Sequence, residues 1–277
     1  MPITNKVTNF VSGNFKRLRG NWQKRRYLAK HRRAEPDIAR SEWKQSLTSP
    51  TEFYLRCLRV FETNPGFPQE LRRHRNYFAK SRRGFGENAF HVMWFLLFTE
   101  FRPASFLEIG VYRGQVLSLA SLLQSLTRQT GEIVGISPFE SAGDSVSKYR
   151  KHIDYLADTR ANFAQFDLPE PTLLKAFSTD EAARELIKAR QWDCIYIDGN
   201  HDYEVAKADW NVCSAAVKPE GLIVLDDAGL DTAFDPPIFA TKGHPGPSRV
   251  AAEINRSDFE EILQVGHNRV FQRLAMK

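Results

Sequence analysis

The first 34 residues of this 277-residue chain contain no acidic side chain. Cysteine is nearly absent too: Cys57, Cys194 and Cys213 stand far apart, without metal-ligand spacing. Three cysteines cannot build a disulfide framework, so a reducing compartment is expected. Long hydrophobic runs are missing. The longest, Val92–Phe98, is far too short to cross a bilayer. The opening Met-Pro-Ile-Thr-Asn-Lys has no apolar stretch of the signal-peptide kind, and the expected location is the cytoplasm. No Gly-x-Gly-x-x-Gly is present where a dinucleotide fold would place it.

The net charge of +6 conceals an asymmetry. Residues 1–83 hold 20 Lys and Arg against 6 acids, and the remainder holds 19 against 27. A basic arm on a mildly acidic body suggests an anionic partner: a membrane surface, RNA or another nucleic acid, or a phosphorylated substrate. The stretch from Phe15 to Arg33 interleaves Trp22, Tyr27 and Leu28 with cations, the composition of a basic amphipathic helix. Such an extension could equally be a solvated face, or pack against a second subunit in a homo-oligomer.

Along the chain, apolar residues at helical intervals predict a helix over Ser41–Phe61. Asn64-Pro-Gly-Phe-Pro reads as a turn, Gly84-Phe-Gly as a flexible joint, and Ala89–Phe101 as a buried helix. In that helix Met93, Trp94, Phe95 and Phe98 read as core. Strands then alternate with helices. Strands are expected at Ser105–Ile109, Gly131–Ser137, Thr172–Phe177, Asp193–Asp198 and Leu222–Leu225. Helices are expected at Val116–Leu126, 144–163, Asp180–Arg190 and Tyr203–Val217, with Lys218-Pro-Glu-Gly as a turn. This alternation predicts an α/β fold with a parallel sheet covered on both faces. Glu260–Val265 and Arg269–Leu274, separated by Gly266-His-Asn, read as a terminal antiparallel hairpin. The chain divides into a basic, mainly helical extension, 1–87, and a main domain, 88–277.

The organising stretch is Ser105–Gly114, Ser-Phe-Leu-Glu-Ile-Gly-Val-Tyr-Arg-Gly. A buried strand carries Glu108 near its end and turns through Gly110 and Gly114 into a helix. Glycine permits a tight turn and close approach of a ligand, and the helix start offers unpaired N–H groups. This Glu-x-Gly-x-x-x-Gly unit resembles the first motif of class I S-adenosylmethionine (SAM) methyltransferases. Two further stretches strengthen the likeness: Tyr196-Ile-Asp-Gly-Asn-His-Asp-Tyr-Glu204, and Lys218-Pro-Glu-Gly-Leu-Ile-Val-Leu-Asp-Asp227. Together, over residues 88–275, they resemble the group that includes macrocin and other sugar O-methyltransferases, methyltransferase domain family 24. The resemblance implies a Rossmann-like, mostly parallel sheet closed by an antiparallel hairpin. It also implies SAM as cofactor, a small-molecule hydroxyl as methyl acceptor, and Mg²⁺ in the metal-dependent members.

Carried over by position, Glu108, Gly110, Tyr112 and Gly114 line the SAM site, with Ser137, Ser178 and Asp198 placed on the same side. Asp198, Asp226 and Asp227 are the implied metal ligands. Acids at the ends of neighbouring parallel strands converge on one cleft and repel unless a cation or proton intervenes. Hard oxygen ligands suit Mg²⁺. Two positions depart from the group's pattern. Ser137 ends the second strand where an acid is common, leaving Glu140 to reach instead, and Asn200 replaces the acid taken as base. His201 is then the expected base, with Asp198 beside it. Asp202 and Glu204 read as a helix cap and a first-turn acid. Arg113 reads as a surface residue. His244, in the Pro-rich loop 228–248, is a weaker candidate for substrate contact. The alternatives to O-methylation are an RNA methyltransferase using the basic arm and a non-catalytic SAM-binding or scaffold protein.

Overall fold

The computed structural model describes residues 18–80, 83–141, 143, 144, 146, 149 and 152–275. The first half of the basic arm, residues 1–17, lies outside the described residues. Residues 18–30 form a helix, α1. The single helix expected over Ser41–Phe61 is instead a 3-10 turn, Arg40–Glu42, a short α2, Gln45–Thr48, and a longer α3, Pro50–Thr63. The break falls at Ser49, whose φ of −138° and ψ of 59° are not helical. A proline ring crowds the residue before it out of the α region, yet suits the first position of a helix. Pro50 therefore ends one element and begins the next.

Helix α4 spans Gln69–Lys80 and α5 spans Asn88–Phe101. Helix α5 is apolar on most sides and is buried along most of its length, Met93, Trp94 and Phe98 included. The strands are β1, Ser105–Ile109, β2, Glu132–Ser137, β3, Thr172–Lys175, and β4, Trp192–Ile197. They continue with β5, Val217–Leu225, β6, Phe259–Val265, and β7, Asn268–Arg273. Between them lie α6, Gln115–Leu126, α7, Tyr155–Ala164, α8, Glu181–Lys188, α9, Tyr203–Ala216, and α10, Pro245–Ala252.

All seven strands form one sheet, ordered β3-β2-β1-β4-β5-β7-β6. The first five are parallel, and β7 runs antiparallel to both β5 and β6. This is the Rossmann-like methyltransferase sheet expected from the sequence, terminal hairpin included. The hairpin loop is two residues, Gly266-His267, because Val265 already pairs with Asn268. Gly266 adopts φ 61°, a conformation glycine accepts without strain.

Side chains alternate across each strand, so the sheet has a core on each face. Phe106, Cys194, Tyr196 and Val224 pack towards α3, α5 and α6. Leu107, Ile109, Ile195, Ile223 and Leu225 pack towards α8, α9 and α10. Residues of the extension, among them Trp43, Phe53, Cys57 and Leu71, belong to the first core.

Two further expectations need correction. Helix 144–163 begins only at Tyr155; the described residues before it are not helical. Asp154 starts it, its side chain accepting the Ala157 N–H at 3.0 Å. The turn at Lys218-Pro-Glu-Gly is absorbed into β5 as a bulge. Val217 pairs with Trp192, pairing resumes at Cys194 with Leu222, and Glu220 takes φ 63° in between.

Candidate active site

The strand order reverses between β1 and β4, and in open parallel sheets that is where ligands sit, outside the carboxyl ends. A cavity of about 500 Å³ opens there. Its wall includes Glu108, Gly110, Tyr112, Asp198, His201, Asp226 and Asp227, so seven of the ten site residues expected from the sequence meet in one place. Gly114, Ser137 and Ser178 do not line it. Gly114 instead starts α6 at φ 74°. Ser137 is buried at the end of β2, and Ser178 hydrogen-bonds to Asp209.

The turn after β1 is held by backbone. Gly110 N–H donates to Ile136 O at 2.9 Å, and Asp198 N–H donates to Ile109 O at 2.8 Å. A β-carbon on Gly110 would lie 1.8 Å from the Asp198 carbonyl oxygen, and its φ is 98°. Gly110 is therefore needed by the protein fold itself, whatever binds above it. Glu108 reaches the start of α6, where its carboxylate accepts the Leu117 N–H. Its other oxygen, Oε2, is buried without a partner. Burial pushes this carboxyl up to about 8; the Leu117 bond opposes the shift and the charge of Asp226 adds to it.

Two more buried polar atoms without partners belong to residues of the same wall, Gln115 Nε2 and Asn268 Oδ1, and Asp226 Oδ1 makes no hydrogen bond, only an ion pair with His267. A buried polar atom left unpaired costs about 1–3 kcal/mol. Three around one cavity mark a place that suits a polar ligand. An orphaned carboxylate oxygen on Glu108 suits the cationic methionine end of SAM, so the residues present fit that cofactor. Tyr112 adds a ring, its centroid 5.0 Å from that of Phe85 and 5.2 Å from that of Tyr155, both pairs tilted. Arg113 is not on the surface: it is buried and ion-paired with Asp158, fixing the turn to α7. Glu140 is exposed and pairs with Lys175 outside the cavity.

Beyond β4 and β5 the acids crowd. Burial and the charges of Asp226 and Asp227 hold Asp198 well above the usual carboxylate range. Asp226 is raised by burial and by Asp227, against the pull of His267. Asp227 is held below its ordinary value. Burial alone would raise it, but hydrogen bonding to His201 and the nearby charge of His267 outweigh that. Asp227 has φ 51°, a conformation an aspartate adopts at a cost, and such strain clusters at functional sites. The donor atoms of Asp226, Asp227 and His267 all lie within 4.8 Å of one another, as do those of His201, Asp227 and His244. Asp198 belongs to neither group among the described residues. The carboxylates of Asp226 and Asp227 fit a divalent cation, with the His267 imidazole completing the set where a third carboxylate was expected.

His201 is held on both sides. Its ring Nε2 lies 2.9 Å from Asp227 Oδ2, and its Nδ1 faces Asp144, whose carboxylate also accepts the His201 backbone N–H at 2.7 Å. Burial alone would lower its pKa, but the bonds to Asp227 and Asp144 raise it to about 9. Its ring centroid is 4.2 Å from that of His244. Neighbouring Asn200 makes a local turn, accepting the Asp202 N–H at 2.7 Å. Asp202 and Glu204 occupy the cap and first turn of α9.

Sequence reasoning missed His267, Glu87, Phe90 and His91, which all line the cavity, and placed Trp94 in the core alone. His267 had a usable signal. An antiparallel β7 beside β5 pairs Arg269 with Leu225, which brings the hairpin turn next to Asp226 and Asp227. His267 Nε2 is indeed 3.3 Å from Asp226 Oδ1. Glu87 precedes α5 and hydrogen-bonds Tyr54 Oη. No sequence pattern separates it from an ordinary helix-start acid.

Residues 107–228 match a family model described as a methyltransferase domain. An uncharacterized protein of Acanthamoeba polyphaga mimivirus is 25% identical over 175 residues, 61% of this chain and 70% of that one. Among solved structures, the SAH-bound methyltransferase PaMTH1 of Podospora anserina superposes with a TM-score of 0.54 at 16% identity. That match covers 83% of this chain and 96% of the other. An O-methyltransferase from Bacillus cereus in complex with SAH gives 0.52 at 13% identity, over 83% and 99%. At these identities the likeness is one of fold.

Proposed function

Because residues 107–228 match a methyltransferase-domain model, we propose that the chain transfers a methyl group from SAM to a hydroxyl of a small molecule, a sugar or a natural-product intermediate. The observation that carries this reading is the convergence of Glu108, Asp198, His201 and the Asp226-Asp227 pair on one cavity at the sheet's switch point. SAM supplies a methyl on a sulfonium, whose departure leaves a neutral thioether. The chain's own task is to hold the cofactor and to make an alcohol nucleophilic.

Glu108, with its free oxygen, takes the cationic methionine end. Tyr112 walls the cofactor, and α6, entered through Gly114, borders it at Gln115 and Val116. The acceptor hydroxyl takes the place at His201 Nε2 that Asp227 Oδ2 now occupies at 2.9 Å. As its oxygen forms the new bond to carbon and the sulfur–carbon bond breaks, the hydroxyl proton passes to His201 Nε2. The Nδ1–H stays on Asp144, which fixes the ring and supports the charge that forms. His201 must first lose the proton that Asp227 and Asp144 stabilise. Asp226, Asp227 and His267 would hold a divalent ion, which when bound lowers the pKa of a coordinated hydroxyl. An RNA phosphate entering the same cavity would meet the ionised Asp227, with four further acids, Glu87, Glu108, Asp198 and Asp226, that burial pushes towards their protonated forms. A neutral acceptor avoids that repulsion.

The test is turnover. Purified protein with SAM and a panel of sugars and polyphenols is assayed for S-adenosylhomocysteine. Product with a hydroxyl acceptor, lost in His201→Ala, supports the reading. Methylation confined to amines or RNA, or none across the panel with SAM bound, overturns it.

A further inference from the structure

Helix α1 faces the wrong way for a helix of a soluble protein. Leu18 is 63% exposed and Trp22 57%, while Gly20 is buried and Lys24 is partly covered. At 100° per residue, Leu18, Trp22 and Ala29 fall within about 40° of one another on the outward face. Arg25 borders this stripe on one side. Arg19, Arg26 and Lys30 border it on the other, all four exposed. Arg26 lies over the Trp22 ring, 5.3 Å from its centroid. No acid occurs in residues 1–34, so nothing on the helix neutralises these charges.

The inner face is anchored. Gly20 lies against Phe239; a β-carbon there would sit 3.4 Å from the Phe239 side chain. Tyr27 Oη accepts from Arg59 at 2.5 Å. The ammonium of Lys24 sits near Glu62 and Glu87. The outward stripe is therefore held outward by packing on the opposite side. Ile238, the neighbour of Phe239, is itself 47% exposed.

We propose that the outward face of α1 docks the protein on an anionic lipid surface, with Trp22 and Leu18 entering the headgroup region and the flanking arginines meeting lipid phosphates. An aliphatic and indole stripe with Arg25 on one side and a row of cations on the other is what an interfacial helix needs: apolar area to bury, and charge at headgroup level. Single-stranded RNA would use the cations and could stack one base on Trp22, but it gives Leu18 and Ala29 nothing to bury against. Phe239 stands two residues before Thr241, and Lys24 senses the charge of Glu87; Thr241 and Glu87 both belong to the cavity wall. The inference does not rest on the methyl-transfer reading.

The test uses the full chain with vesicles of phosphatidylcholine alone and of phosphatidylcholine with phosphatidylserine. Trp22 is a built-in reporter, because Trp43, Trp94, Trp192 and Trp210 are at most 6% exposed. The expected result is co-sedimentation with the anionic vesicles only, and a blue shift of tryptophan emission on binding. Trp22→Ser should abolish the shift and weaken binding, and Arg25→Glu with Arg26→Glu should weaken it by roughly tenfold or more. These side chains are exposed, so an unchanged melting curve checks that the variants fold. Failure to bind anionic vesicles overturns the proposal. So does binding that Trp22→Ser leaves intact, or a Trp22 response to single-stranded RNA but not to vesicles.

Discussion

The His201 Nε2 lies 2.9 Å from Asp227 Oδ2, and Asp144 holds the other ring nitrogen. The imidazole thus stands between two carboxylates, each favouring its charged form. Burial opposes this and loses, so the pKa rises to about 9. A base works only after losing its proton, so turnover should climb with pH and level off near 9. Asp144→Asn removes one of the two charges while leaving an acceptor for Nδ1–H, and should move the rising limb to lower pH. The pH–rate profiles of the two proteins, without added metal, check this. A flat profile between pH 7 and 9 would remove His201 from the role of base. The same pair has a stability sign. A folded pKa above the ordinary 6.5 stabilises the fold below that value, and the contribution is lost as pH rises through about 9.

Glu108 gives binding a pH dependence of the same sense. Its carboxyl is pushed up to about 8 by burial, so near neutral pH the free protein holds it largely protonated. SAM brings positive charge, which the ionised form favours. Affinity for SAM should therefore rise with pH towards about 8 and then level. Glu108→Gln should abolish that dependence and lower affinity about tenfold to hundredfold, the loss expected for a hydrogen bond to a charged group. Titration calorimetry on either side of the transition checks both. Without ligand, raising pH from the ordinary 4.5 through about 8 should destabilise the wild type, and Glu108→Gln should remove that loss.

The acid pair carries a metal prediction. Asp226 Oδ1 makes no hydrogen bond and faces His267 Nε2 at 3.3 Å, with the donor atoms of Asp227 close by. Chelation should lower turnover at least about tenfold, worth about 1.4 kcal/mol of barrier. Mn²⁺ or Mg²⁺ should restore it, and His267→Ala should weaken the restoring ion's apparent affinity. Full activity in excess EDTA contradicts metal assistance.

Gly110 gives a stability prediction that needs no ligand. A methyl side chain there would press on the Asp198 carbonyl at 1.8 Å, in a backbone conformation other residues resist. Gly110→Ala should cost about 2 kcal/mol or more, a melting-temperature drop on the order of 5 °C. Thermal unfolding of the two proteins measures it. An unchanged melting temperature would mean the turn is looser than its geometry.

What could be read in the sequence was the part set by local pattern. Strand Ser105–Ile109 was legible residue for residue, because an apolar run ending in Glu108 and Gly110 has few other solutions. The terminal hairpin and the meeting of Glu108 with Asp198, Asp226 and Asp227 followed from strand order. Single-residue backbone effects were harder. Apolar periodicity ran straight through Ser49-Pro50, where the proline's steric demand breaks the helix. Arg113 read as a surface cation because its partner, Asp158, is distant in sequence and reaches it only through folding. His267 and Glu87 were hidden for the same reason, since one sits in a hairpin turn and the other before α5.

The most direct test of the central claim is calorimetric titration of the full chain with SAM and S-adenosylhomocysteine, with and without a divalent ion. Micromolar binding of both, weakened in Glu108→Gln, is the predicted result. No heat with either ligand under any condition would contradict it, and would leave the Gly110 turn as a structural turn alone.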